Sequence, residues 1–138
     1  MFAPSKTSAG AYAALELEGR VASADPHGLI VMLFDGAIMS LSHAESALKA
    51  RDIPRKAQAI SKAVKIIAEG LRASLDAKAG GTLARQLDEL YGYMMQRLLE
   101  ANLRSDPKAV AEVKGLLGEL RSAWVAIRTA PAAARGGR

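Results

Sequence analysis

The chain has 138 residues, the size of one ordinary domain. Half are hydrophobic but only 4% are aromatic, and there is no cysteine, which excludes disulfides, thiolate metal sites and thiol nucleophiles. The formal charge is +5, yet the 19 basic residues are spread along the whole chain, and the densest basic stretch, Arg55 to Arg72, lacks the interleaved aromatic platforms that nucleic-acid bases stack on.

Residues 1–25 form an N-terminal segment with a short amphipathic piece, Tyr12 through Val21, whose apolar points are Tyr12, Leu15 and Leu17. Glu16 and Glu18 interrupt the apolar run that a signal peptide needs. No uninterrupted run reaches the roughly 18 apolar residues of a membrane span. The expectation is a soluble, cytoplasmic protein with no membrane insertion.

Asp25-Pro26 then marks a helix start, an Asp cap followed by proline where a missing N–H costs nothing. Asp52-Ile53-Pro54 and Ser105-Asp106-Pro107 repeat the device, and Ala79-Gly80-Gly81-Thr82 is a breaker before a capping threonine. These signals predict helices near 26–50, 53–76, 82–104 and 107–129. Ile30, Leu33, Ala37, Leu41, Ala44 and Leu48 stripe the first, and Ile60, Val64, Ile67, Leu71 and Leu75 the second. The third carries Leu83, Leu87, Leu90, Met94, Leu98 and Ala101, the fourth Val110, Val113, Leu117, Leu120, Trp124 and Ile127. Helices of similar length, each about 33–38 Å long, joined by short connections predict an all-α, antiparallel up-down-up-down four-helix bundle over 26–129. Residues 130–138, APAAARGGR, read as a disordered tail.

The stripes do not use up the apolar residues. Leu29, Met32, Phe34 and Ile38 are surplus on the first helix, Tyr91, Met95 and Leu99 on the third, and Leu116 and Ala123 on the fourth. Part of that surplus belongs to an ordinary broad core, and the rest is available for an exposed groove. Glycines inside the helices, Gly36, Gly70, Gly92, Gly115 and Gly118, allow close packing within the bundle or against a guest helix. The basic run Arg55, Lys56, Lys62, Lys65 and Arg72, answered only by Glu69, reads as a solvated helix face.

Catalytic constellations are missing. No Glu-x-x-His pair supplies a di-iron site, Gly80-Gly81 lacks the Lys and Ser/Thr of a phosphate loop, and no serine has a base and acid at a telling spacing. His27 and His43 read as satisfied or solvent-facing residues rather than metal ligands. The chain is expected to be no enzyme and to need no cofactor.

Four blocks, in order over about residues 11–125, resemble the FliS family of flagellin export chaperones. They are Ala11-Tyr12 with Glu18, Val21 and Ala22; Asp25-Pro26 with Leu29 through Ile38; Leu90-Tyr91-Gly92-Tyr93-Met94 with Arg97-Leu98, Ala101-Asn102-Leu103 and Asp106; and Glu112-Val113, Leu116-Leu117, Glu119-Leu120-Arg121 with Ala123-Trp124. The chain departs from the family pattern at Gly10, where Asn is frequent, and at Phe34, where Tyr is usual. The resemblance implies a four-helix bundle that binds the disordered C-terminal segment of flagellin, prevents its premature polymerisation and keeps it competent for type III flagellar secretion. It implies a flagellin groove of Leu29, Met32, Leu33 and Phe34 with Tyr91, Met94 and Leu98, closed near Asn102, part of this set being core. Tyr12 and Leu15 resemble the family segment that lies over the binding surface as a lid. A monomer or weak homodimer is expected, with other flagellar export or regulatory proteins as further partners. The alternatives from the residues alone are a basic nucleic-acid-binding bundle and a self-assembling structural bundle.

Overall fold

The computed structural model describes residues 25–129, so Tyr12, Leu15 and the tail at 130–138 lie outside the described residues. Four helices follow in order: α1 (Pro26–Lys49), α2 (Ile53–Lys65), α3 (Ala77–Arg104) and α4 (Pro107–Thr129). Past Lys65, α2 runs on without a turn as a wider, π-helical stretch, Ile66–Arg72. Among the described residues there is no strand.

The three aspartate caps act where the sequence places them. Asp25 Oδ1 accepts from the Gly28 N–H at 2.8 Å, Asp52 Oδ1 from Arg55 N at 3.2 Å and Asp106 Oδ1 from Lys108 N at 2.9 Å. The C-terminal ends of α1 and α3 close without glycine. Arg51 and Ser105 take left-handed φ of 56° and 49°, and the following amides return to carbonyls five residues back, Asp52 N to Ala47 O at 2.9 Å and Asp106 N to Ala101 O at 3.1 Å. The α3 turn is held further by Lys56, 4% exposed, whose Nζ donates to Asn102 O at 2.8 Å and Ser105 Oγ at 2.9 Å.

Two boundaries differ from expectation. The third helix starts at Ala77, one turn before the double glycine, and breaks at Gly81 with φ 54° and ψ −127°, a conformation that glycine alone adopts freely. The helical part of the second segment ends at Arg72 rather than near 76.

Cross-helix contacts set the topology. Between α1 and α4 they run His27 to Trp124, Asp35 to Arg121 and Glu45 to Lys114, one number rising as the other falls. Between α2 and α3, Lys56 meets Asn102 while Arg72 meets Asp88. Leu33 lies against Gly70 and Gly36 against Ile66 between α1 and the α2 extension. Arg97 pairs with Glu112 across the short α3–α4 turn. Each neighbouring pair is antiparallel, and the order around the bundle is α1, α2, α3, α4, which leaves α1 and α3 on a diagonal.

One core fills the middle. It contains Phe34, Leu41, Ile60, Ile67, Leu71, Tyr91, Met94, Leu98, Val110, Val113 and Leu117, with alanines at 37, 44, 63, 101 and 109 where helices approach closely. Length and composition alone would suit α1 to a membrane span. In the bundle its Phe34 and Leu41 are core, and Asp35 and Glu45 pair with α4.

The glycines separate by surroundings. A methyl on Gly115 or Gly118 would meet nothing within 4 Å, whereas one on Gly70 would stand 2.9 Å from Leu33 Cδ2. Gly115→Ala and Gly118→Ala are each expected to stabilise by about 0.5–1 kcal/mol in denaturant melts. Gly70→Ala is expected to gain less or to destabilise, because Leu33 must move; equal gains at all three positions would contradict this packing.

Candidate functional site

The seams of the bundle are not alike. Around α4 they carry charge: Lys114 with Glu45 at 2.8 Å and Arg121 with Asp35 join it to α1, and Arg97 with Glu112 at 2.8 Å joins it to α3. Tyr93 donates its hydroxyl to the same Glu112. Those donors hold the Glu112 carboxyl below the usual carboxylate range, Tyr93 contributing most and Arg97 next. At the open end His27 stacks on Trp124 with ring centroids 4.8 Å apart, and Trp124 Nε1 donates to His27 O at 3.1 Å. His43 is exposed. Among the described residues no group of three or more His, Asp or Glu could hold a metal ion.

The α1–α2 seam holds no ion pair among the described residues and is closed instead by Gly36 under Ile66 and Gly70 under Leu33. Gly36 fixes which way α1 faces. Leu29, Met32, Gly36 and Met39 recur at steps of three and four, so they form one stripe along the α2 side of α1. Met39 is 59% exposed, and Leu29 and Met32 are half-buried.

A shorter apolar stripe, Met95 and Leu99, runs on α3 between polar ends. Asp88, Gly92, Met95, Leu99 and Asn102 recur at the same steps, and both ends touch α2: Asp88 pairs with Arg72, and the Asn102 carbonyl takes the Lys56 ammonium. Leu99 is 58% exposed and neighbouring Leu103 75%. Between the two apolar stripes lies the outward face of α2, with Gln58, Lys62, Lys65 and Glu69 all exposed. Three consecutive helices thus present an apolar, a cationic and a second apolar line, side by side. Contiguous exposed apolar surface is the kind on which proteins receive a partner.

The eight groove residues expected from sequence divide between this face and the interior. Leu29, Met32, Leu33 and Asn102 keep solvent-exposed surface. Phe34 and Tyr91 are 3% exposed, and Met94 and Leu98 are 0% exposed, so in this arrangement they belong to the core that joins α1 to α3 across the diagonal. Burial pushes the Tyr91 phenol up to about 12. Met39 and Leu99, which the expected groove leaves out, are the more accessible members of the two stripes. Adjacent pairs mark the distinction in the sequence: Met94 and Leu98 continue the bundle stripe, and Met95 and Leu99 stand one residue round the helix.

Among the described residues the geometry defines a four-helix module with an exposed apolar face. The profile of the family described as Flagellar protein FliS matches residues 8–131, and the chain belongs to that family. It is 51% identical to the flagellar secretion chaperone FliS of Salmonella typhimurium over 114 residues, which cover 83% of this chain and 84% of that protein. It is 43% identical to the flagellar secretion chaperone FliSB of Pseudomonas aeruginosa (82% and 89% covered) and 33% identical to the FliS of Bacillus subtilis (78% of each). The family is one of chaperones, and the chain is not an enzyme.

The division into core and surface predicts opposite responses to the same substitution. Phe34→Asp and Met94→Asp are expected to lose about 3 kcal/mol or more and to melt early, because each buries an unpaired charge. Met39→Asp and Leu99→Asp should stay within about 0.5 kcal/mol of the parent. Matching melting temperatures for all four would show that Phe34 and Met94 are not interior.

Proposed function

We propose that the chain is the cytosolic export chaperone of flagellin. It binds the C-terminal segment that free flagellin leaves disordered, prevents that segment from polymerising too early, and delivers it to type III flagellar secretion. Membership of a family whose relatives carry the name flagellar secretion chaperone supports this reading. The observation that carries it is the pair of apolar stripes that the four helices leave uncovered, with Met39 at 59% and Leu99 at 58% exposure.

An amphipathic guest laid on these stripes buries the apolar side chains of both partners, which is helix-in-groove recognition coupled to folding of the guest. Ordering a disordered segment costs about 2–5 kcal/mol, so the guest must cover on the order of 1,000–3,000 Å². Two parallel stripes that run along α1 and α3 give such a segment length to lie on. Leu29, Met32 and Leu33 extend the α1 side of the contact, and Asn102 closes the α3 side. The binding itself supplies the chemistry, without turnover or cofactor. Within this proposal the N-terminal segment, through Tyr12 and Leu15, covers the face until flagellin arrives.

Titration with the C-terminal segment of the flagellin from the same organism tests the proposal. Binding is expected with a gain of helix by circular dichroism. Met39→Asp combined with Leu99→Asp should weaken it at least about tenfold while the fold is kept. Normal affinity in that double variant would remove the stripes from the site, and no binding by the parent would remove the function. A chain lacking residues 1–20 should bind more tightly; unchanged affinity and solubility would rule out a lid.

A further inference from the structure

The outward face of α2 carries charge that the bundle does not use. The cations that bridge helices are matched: Arg72 by Asp88, Arg97 by Glu112, Lys114 by Glu45 and Arg121 by Asp35. Lys49, Arg51, Arg85, Arg104 and Lys108, in no ion pair among the described residues, lie near helix ends and turns. Lys62 and Lys65 are exposed and make no ion pair among the described residues. Three residues apart, they stand on neighbouring turns of one helix, where like charges repel. Nor do they cap a helix end, because the helix continues past them to Arg72. Glu69, one turn on, is the single carboxylate of their stripe. Two unmatched cations therefore sit midway between the apolar line of Met32 and Met39 and that of Met95 and Leu99.

We propose that Lys62 and Lys65 read the charge of the cargo, binding carboxylates of an acidic amphipathic segment whose apolar side chains rest on the flanking stripes. This deepens the chaperone reading and rests on it. Charge complementarity identifies the occupant: a guest that covers either stripe places one polar edge along α2, and carboxylates there neutralise a charge that Glu69 alone offsets only in part. Such pairs at a solvated edge act on association rate and choice of partner more than on raw affinity. Their effect fades with salt.

The test compares the full chain with Lys62→Glu/Lys65→Glu, and with the milder Lys62→Gln/Lys65→Gln, by calorimetry against the C-terminal flagellin segment of the same organism. All three should fold alike, since both lysines are exposed. Parent affinity is expected to fall about fivefold between about 0.05 and 0.5 M salt. The Glu variant should bind about tenfold more weakly with little salt dependence, and the Gln variant should fall between. Lys108→Glu, at the start of α4, should bind as the parent does. A guest with its carboxylates changed to amides should no longer distinguish the parent from the Gln variant.

Equal, salt-independent binding by the parent and the Glu variant would overturn the inference and leave the chaperone reading standing. No binding by the parent would overturn both. Single-stranded DNA bound by the parent and lost in the Glu variant, with flagellin binding unchanged, would also overturn it and assign the stripe to nucleic acid.

Discussion

The structure depends on how α1 and α2 meet. Where Gly70 takes the side chain of Leu33 and Gly36 that of Ile66, two helices come together on small residues and need no charge across their seam. Everything on the outer side of that contact is then free to be apolar. The α4 seams are built the other way, with Lys114, Arg121 and Glu112 pinned to carboxylates or guanidinium groups on both neighbours. A charged rim suits a surface that faces water, and a bare apolar one suits a surface that waits for a partner.

The interior keeps this division stable. Phe34 and Leu41 from α1 share a single buried cluster with Tyr91, Met94 and Leu98 from α3, although the two helices are on a diagonal. The core therefore sets the angle at which each helix presents its outer stripe. A substitution at Met94 acts on the fold, while under the proposed function one at Leu99 acts on cargo directly. Lys56 contributes at the far end of the face, since its ammonium closes the α3 terminus on Asn102 O and Ser105 Oγ and so fixes where the α3 stripe stops.

Helix identity, the caps at Asp25, Asp52 and Asp106, and the order of the bundle were readable from local signals, because proline after an Asp cap and a three-and-four apolar rhythm act through the nearest residues. An excess of apolar side chains on the first, third and fourth helices was readable for the same reason, although on the fourth Leu116 packs against the core. Which of them face outward was only partly readable. Met94 and Leu98 fit both the bundle stripe and the expected groove by spacing, and a side chain enclosed by the core cannot also lie on the surface. The adjacent Met95 and Leu99 were the residues left over. The left-handed closures at Arg51 and Ser105 carried no glycine signal. The widening at Ile66–Arg72 and the burial of Lys56 depend on neighbours distant in sequence, so no local pattern announced them.

The methionines offer the most direct test of the central claim, because they sample both surface and core. Met32 and Met95 are half-buried on the proposed face, Met39 is exposed on it, and Met94 is wholly enclosed. Methyl NMR of the full chain, titrated to saturation with the flagellin C-terminal segment, should move the Met32, Met39 and Met95 signals strongly and Met94 least. Three outward methyls that stay in place at saturation would mean that cargo binds elsewhere on the molecule.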